Sequence, residues 1–232
     1  MFPEFSFEWL EAEFDTLETR SADPFFISEE TKRTLHEVYK YWKGKTTSEL
    51  AEQNMDPLAY EVFMNHGIFT VGNYFYNGVG HVNVNYEKVL KVGYRGILRE
   101  IKEHAENIRT EDAYHYVENA TIVIDAVHRF ALRYAEAAKA AGKERAYRAL
   151  LRVPYEPAYD LYSALQAIWL VHMIASCYVG ARDYGFGYMD EYLYPFYLAE
   201  KERGVSDREI EEMLAGFMIK CNEICGRATP HY

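Results

Sequence analysis

Apolar positions recur every three or four residues along most of the chain, the period of helices with one buried face. In residues 6–19, Phe7, Leu10, Phe14 and Leu17 share a face behind Ser6, a hydroxyl suited to capping. The "SADP" stretch then breaks the pattern. A second helix is predicted from the cap Ser28 to about Trp42, with Glu29 and Glu30 in the first turn, where the helix dipole favours acids. Thr46 and Glu49 have the spacing of a capping box. Long helices follow over about 86–107 and about 112–141. On the second, Val117, Ile124 and Ala131 form one apolar seam, and Ala120, Val127 and Tyr134 the next. Pro154 and Pro157 mark a break. Beyond it the pattern predicts a buried helix over about 159–180, a Gly-rich turn and a helix from about Met189. A last helix, over about 207–224, is opened by the capping box Ser206-x-x-Glu209.

Residues 67–86 do not follow this period. They are rich in β-branched and aromatic side chains and contain Gly78 and Gly80, which reads as a strand or extended loop kinked at the glycines. The chain is therefore predicted to be α/β but mostly helical, with little strand.

Length and charge narrow the classes. With 232 residues the chain can bury one sizeable core or two small ones. Its net charge of −11 and the absence of a Lys/Arg cluster argue against nucleic acid and against an anionic membrane surface. The run from Leu161 to Ala181 has no charged residue and is long enough to cross a bilayer. Ser163, Gln166, His172 and Ser176 interrupt it and no basic cluster flanks it, so a buried helix is expected. Cys177, Cys221 and Cys225 are too few for a disulfide framework. Residues 1–20 are acidic and lack the apolar core of a secretion signal. Together these predict a reduced, cytoplasmic protein. The 21 tyrosines point to large internal surfaces or a polar-lined cavity.

Candidate chemistry is sparse. Asp112-x-x-His115 and Asp125-x-x-His128 have the spacing of metal-ligand pairs, but thirteen residues apart on one helix they point to different sides. Solvated helix faces account for them. Cys221, Cys225 and His231 make at most three ligands near a chain end, and small core residues are the better reading of the thiols. No metal is expected. Gly78-x-Gly80 and Gly185-x-Gly187 both lack the third glycine of a dinucleotide fingerprint. His81 differs in its company: Tyr74, Tyr76, Asn77 and Asn83 are hydrogen-bonding groups of fixed shape that can orient a small polar molecule.

The segment "NYFYNGVGHVNVNYEKVLKVGYRGILREIKEH" resembles the Gly-His stretch and following helix of the glycyl radical enzymes, the pyruvate formate-lyase superfamily, especially its lyase and dehydratase branch. The likeness extends in order through "FPEFSFEWLEAEFDTLETRSADPFFISEETK", "VIDAVHRFALRYAEAA", "RVPYEPAYDLYSALQAIWLVHMI" and "GYMDEYLYPFYLAEKERG", covering nearly all of residues 1–232. Two residues depart from the family pattern: Asn85 stands where an aspartate usually precedes the tyrosine, and Tyr188 where many members carry arginine. The tract between the long helix and "RVP" is also short.

The resemblance implies part of a ten-stranded α/β barrel wrapped by helices, with the Gly-His turn on a barrel strand facing substrate. It implies that residues 1–232 are a partial domain, a fragment or split subunit, lacking the cysteine loop and the C-terminal glycyl radical loop. The implied activity is radical cleavage of a C–C, C–N or C–O bond in a small polar metabolite. His81 would contact a substrate hydroxyl or move its proton, and Tyr74, Tyr76, Asn77 and Asn83 would bind substrate. The implied partners are a companion chain carrying the two radical loops, an oligomeric assembly, and a radical S-adenosylmethionine activating enzyme that installs the glycyl radical outside this chain. The isolated chain would then be inactive. A non-catalytic scaffold or regulatory binding subunit with the same fold is the alternative.

Overall fold

The computed structural model describes residues 13–21, 24, 26–46, 49–50, 53–62, 66, 83–177 and 185–221. Its contacts divide the chain into two units. One comprises residues 1–81, 176–183 and 226–232, the other residues 82–175 and 184–225.

In the first unit the predicted 6–19 helix is described only from residue 13, where the chain makes consecutive turns: the Glu13 carbonyl accepts from Thr16 and Leu17, and the Thr16 carbonyl from Thr19 and Arg20. Phe14 and Leu17 are buried there, with Ile27 and Leu35 packed against them. Helix α1, Glu29–Trp42, begins as the acidic first turn predicts, and the Ser28 hydroxyl accepts the Thr31 N–H. Thr46 and Glu49 cap each other: the Glu49 N–H donates to the Thr46 hydroxyl at 3.3 Å and the Thr46 N–H to the Glu49 carboxylate at 3.2 Å. Helix α2, Pro57–Tyr60, is one turn capped by Asp56.

The second unit contains the larger core. Helix α3, Tyr86–Ile108, opens with the Asn85 side chain accepting the Lys88 N–H. The departure from aspartate thus keeps the capping bond, because an amide oxygen accepts as a carboxylate does. Helix α4, Glu111–Ala140, packs against α3. Its buried residues are Ile124, Val127, Ala131 and Ala135, whereas Tyr134 stays 45% exposed. The face turned to the core therefore runs Ile124, Val127, Ala131, Ala135, and Tyr134 falls beside it. Helix α5, Glu144–Leu150, has no counterpart in the sequence reading. It is seven residues long and carries no side-chain cap bond, so neither of the usual signals announces it.

Helix α6, Leu161–Cys177, joins two core clusters. Leu161, Leu165, Ile168 and Val171 pack in one cluster with Tyr86, Val89 and Leu90 of α3. Leu193 of α7, Met189–Glu202, and Ile210 and Phe217 of α8, Asp207–Cys221, belong to the same cluster. Leu170 packs in the other, with Ala131, Ala135 and Leu150. A helix covered on most of its faces has no place for charge, which explains the uncharged run. Burying one such aliphatic side chain contributes about 1.5–3 kcal/mol. Among the described residues no helix is long and apolar enough to cross a membrane. The α8 capping box forms as its spacing predicts, with the Glu209 N–H on the Ser206 hydroxyl and the Ser206 N–H on the Glu209 carboxylate.

The first turn of α6 has orphan N–H groups that must find acceptors inside the protein. Asp160 accepts from the Ser163 N–H at 2.7 Å, and Glu200, itself only 2% exposed, accepts from the Leu161 N–H at 3.1 Å. The Arg203 guanidinium pairs with the same Glu200 carboxylate.

Candidate functional site

The one β-bridge among the described residues joins Asn83 to Gly185 in parallel. It is a single rung, so the extended segment expected over 67–86 is described only at its end. Its position matters because it ties the exit of the Gly-His stretch to the turn before α7. The close approach favours glycine at 185, because a Cβ there would run into the Asn83 Oδ1 atom unless that side chain moved. The Asn83 side chain is exposed.

Beneath the bridge lies an aromatic cluster centred on Phe186. Its ring stands 5.9 Å from Tyr86, 5.4 Å from Phe217 and 4.5 Å from His172. Tyr192 lies 6.2 Å from Tyr86 and donates its hydroxyl to the Phe186 carbonyl at 2.8 Å, which fixes the turn. Burial holds the Tyr192 hydroxyl well above its ordinary pKa, so it remains a donor. His172 is 8% exposed, and its Nδ1 has no hydrogen-bond partner among the described residues. Burial lowers its pKa, so the ring is held neutral. Neither His172 nor Phe186 was singled out as a site residue from sequence. The one available signal was that His172 is a titratable side chain inside an otherwise uncharged run.

Of the residues predicted to meet substrate, Asn83 is placed by the structure at the bridge. His81, Tyr74, Tyr76 and Asn77 lie outside the described residues. The rejected metal pairs take ordinary roles. His115 sits 3.7 Å from Glu111 and 3.6 Å from Glu118 on its own helix, and His128 stacks on Tyr155 at 4.0 Å with the rings 4° from parallel. Cys221 is half-buried in the core of the second unit, where burial raises its thiol pKa, and Cys225 and His231 lie outside the described residues. Among the described residues no group of three or more His, Cys, Asp or Glu side chains could hold a metal ion.

The family model described as pyruvate formate lyase-like matches residues 1–232, and the chain belongs to that family, in the lyase and dehydratase branch of the glycyl radical enzymes. Among curated relatives it is 30% identical to the probable dehydratase YbiW of Escherichia coli (strain K12), over 97% of this chain and 30% of that protein. Among solved structures it is similar to the glycerol-bound form of the B12-independent glycerol dehydratase from Clostridium butyricum. That match has 36% identity and a TM-score of 0.78, and covers 100% of this chain and 31% of that one. It is also similar to a structure describing 1,2-propanediol dehydration in Roseburia inulinivorans, at 37% identity and a TM-score of 0.77, over 100% of this chain and 29% of that one. The chain thus spans about 30% of the length of the relatives it matches.

Proposed function

We propose that residues 1–232 form the substrate-pocket-bearing portion of a glycyl radical enzyme that cleaves a C–C, C–N or C–O bond of a small polar metabolite. The relatives are named as dehydratases or as an isethionate sulfite-lyase, and this portion is about 30% of their length. The cysteine loop and the glycyl radical loop then come from polypeptide outside these residues, in the same longer chain or in a companion. The radical group, installed by a radical S-adenosylmethionine activating enzyme, supplies the hydrogen-atom abstraction.

The observation that carries the reading is the Asn83–Gly185 bridge. Asn83 stands at this rung and would bind the substrate through its amide. On this reading, which rests on the family resemblance, His81 is the proton-transfer group and Tyr74, Tyr76 and Asn77 complete the substrate-binding set. The amide and hydroxyl groups fix the orientation of the metabolite. The imidazole hydrogen-bonds its hydroxyl and accepts or returns the proton as the leaving group departs. The Phe186 cluster supports this arrangement by excluding water from behind the bridge.

The test is His81→Ala in the assembled, activated enzyme. Turnover is expected to fall by roughly 10²–10⁴-fold, while the folding free energy moves by no more than about 1 kcal/mol. Normal turnover per folded molecule with a large loss of melting temperature would make the Gly-His turn architecture and overturn the assignment.

A further inference from the structure

In a chain of net charge −11, one surface concavity is basic. Arg145, Arg148, Leu151, Arg152, Tyr159 and Asp160 line a cavity of about 600 Å³. Arg145, Arg148 and Arg152 step by three and four along α5 and the turn after it, which places them on one face. Two of the guanidinium groups lie over aromatic rings, Arg145 4.4 Å from the centre of Tyr162 and Arg152 5.3 Å from that of Tyr159. A ring face attracts the cation without consuming its N–H donors. Arg148 commits its Nε to Glu144 at 3.1 Å and keeps its terminal nitrogens. Arg145 makes a weak bond to the Met213 sulfur at 3.2 Å. No carboxylate among the described residues lies within ion-pair distance of Arg145 or Arg152. The lining carboxylate, Asp160, accepts the Ser163 N–H at the start of α6. The Tyr159 hydroxyl lies within the field of all three arginines. Burial first, and Asp160 second, raise its pKa, so it stays a donor.

We propose that this cavity binds a small polyanion bearing phosphate-type oxyanions, held by Arg145, Arg148 and Arg152 with the Tyr159 hydroxyl as a further donor. Its volume is in the range of small-ligand sites. Guanidinium forks match tetrahedral oxyanions by paired donation, and a preformed set of three limits the entropy lost on binding. None of its residues belongs to the Asn83–Gly185 site, so the proposal stands apart from the catalytic reading.

Calorimetric titration of the chain with sodium pyrophosphate, at about 0.1 M salt so that long-range attraction is screened, tests it. Saturable binding is expected. Arg148→Gln and Arg152→Gln should each weaken it roughly tenfold or more, as loss of a charged hydrogen-bond donor does. Both side chains are exposed, and circular-dichroism melts establish that the variants fold. Arg99→Gln removes the same charge from α3 and should leave affinity unchanged. ATP binding more tightly than pyrophosphate identifies a nucleotide as the ligand; equal affinity identifies the phosphate groups alone. Three results overturn the proposal. One is no saturable binding, and another is equal weakening by Arg99→Gln. The third is a polyglutamate peptide that outcompetes pyrophosphate through the same arginines, which would make the face a docking surface for an acidic protein segment.

Discussion

The backbone N–H of Arg95 donates to the carbonyl of Tyr155 at 2.9 Å, although both Arg95 and the residues four before it lie within α3. The helix is broken at Gly93, where φ is 64° and ψ is 170°. Across the break the Tyr94 N–H donates to Pro154, and the Leu90 carbonyl, freed of its helical partner, accepts from Ala158 at 3.0 Å. The segment 154–158 thus replaces the hydrogen bonds that the break removes. This backbone region is accessible only to glycine, and a Cβ at Gly93 would fall 2.6 Å from the carbonyl carbon of Glu156. Gly93→Ala is therefore expected to destabilise the chain by about 2–5 kcal/mol, from backbone strain plus forced displacement. Gly142→Ala has φ of 68° but meets nothing within 4 Å, and should cost only about 1–2 kcal/mol. Urea unfolding of the two variants side by side measures the difference, and equal losses would show that the 154–158 docking is slack.

At the bridge the corresponding test is a pair. Gly185→Ala brings a methyl against the exposed Asn83 amide, a flexible group that can swing aside. The single variant should lose no more than about 1–2 kcal/mol. In the Asn83→Ala background most of that loss should vanish, because the clashing atom is gone. A double-mutant cycle on unfolding free energies reads the coupling, and additive losses would mean that the two side chains do not meet.

His172 predicts a pH limb. Its pKa is lowered in the folded state by burial, so the unfolded chain binds the proton first as pH falls. The stability associated with a neutral His172 is complete above the ordinary histidine pKa, near 6.5. It is lost as pH drops below that value toward the folded one, with a slope of at most about 1.4 kcal/mol per unit for one proton. His172→Leu should flatten the stability profile in that window and leave stability at about pH 8 comparatively unchanged. An unaltered acid limb in the variant would assign it to other groups.

Glu200 is expected to be a structural keystone of α6. Glu200→Ala leaves the Leu161 N–H without its acceptor and Arg203 without its partner. A loss of about 1–3 kcal/mol follows from the unsatisfied buried donor, and Glu200→Gln should recover part of it because an amide oxygen still accepts. Thermal melts of both variants check the order, and equal losses would show that the charge matters and the hydrogen bond does not.

The boundaries of α1, α3 and α4, the start of α8, and the capping roles of Ser28, Thr46 with Glu49, and Ser206 with Glu209, were all legible in the sequence. Each depends on side chains three or four residues apart, so the information is local. The buried character of α6 was equally legible, since a charge-free run between polar ends has no other stable place in a helical unit. The site was legible only as a set of residue types around His81, and of these the structure places Asn83.

What the tertiary structure decided is long-range. The break at Gly93 cannot be read from α3, because its replacement partners come from residues 154–158. The capping of Leu161 by Glu200 spans thirty-nine residues. The preference for glycine at 185 arises because Asn83 passes beside it. Tyr134 stands outside the core and Ala135 inside because Leu150 and Leu170, from later in the chain, pack with Ala131 and Ala135. Periodicity along the chain determines which face of a helix is apolar; the residue that must give way, bend or supply the missing bond is set by whichever segment packs against it.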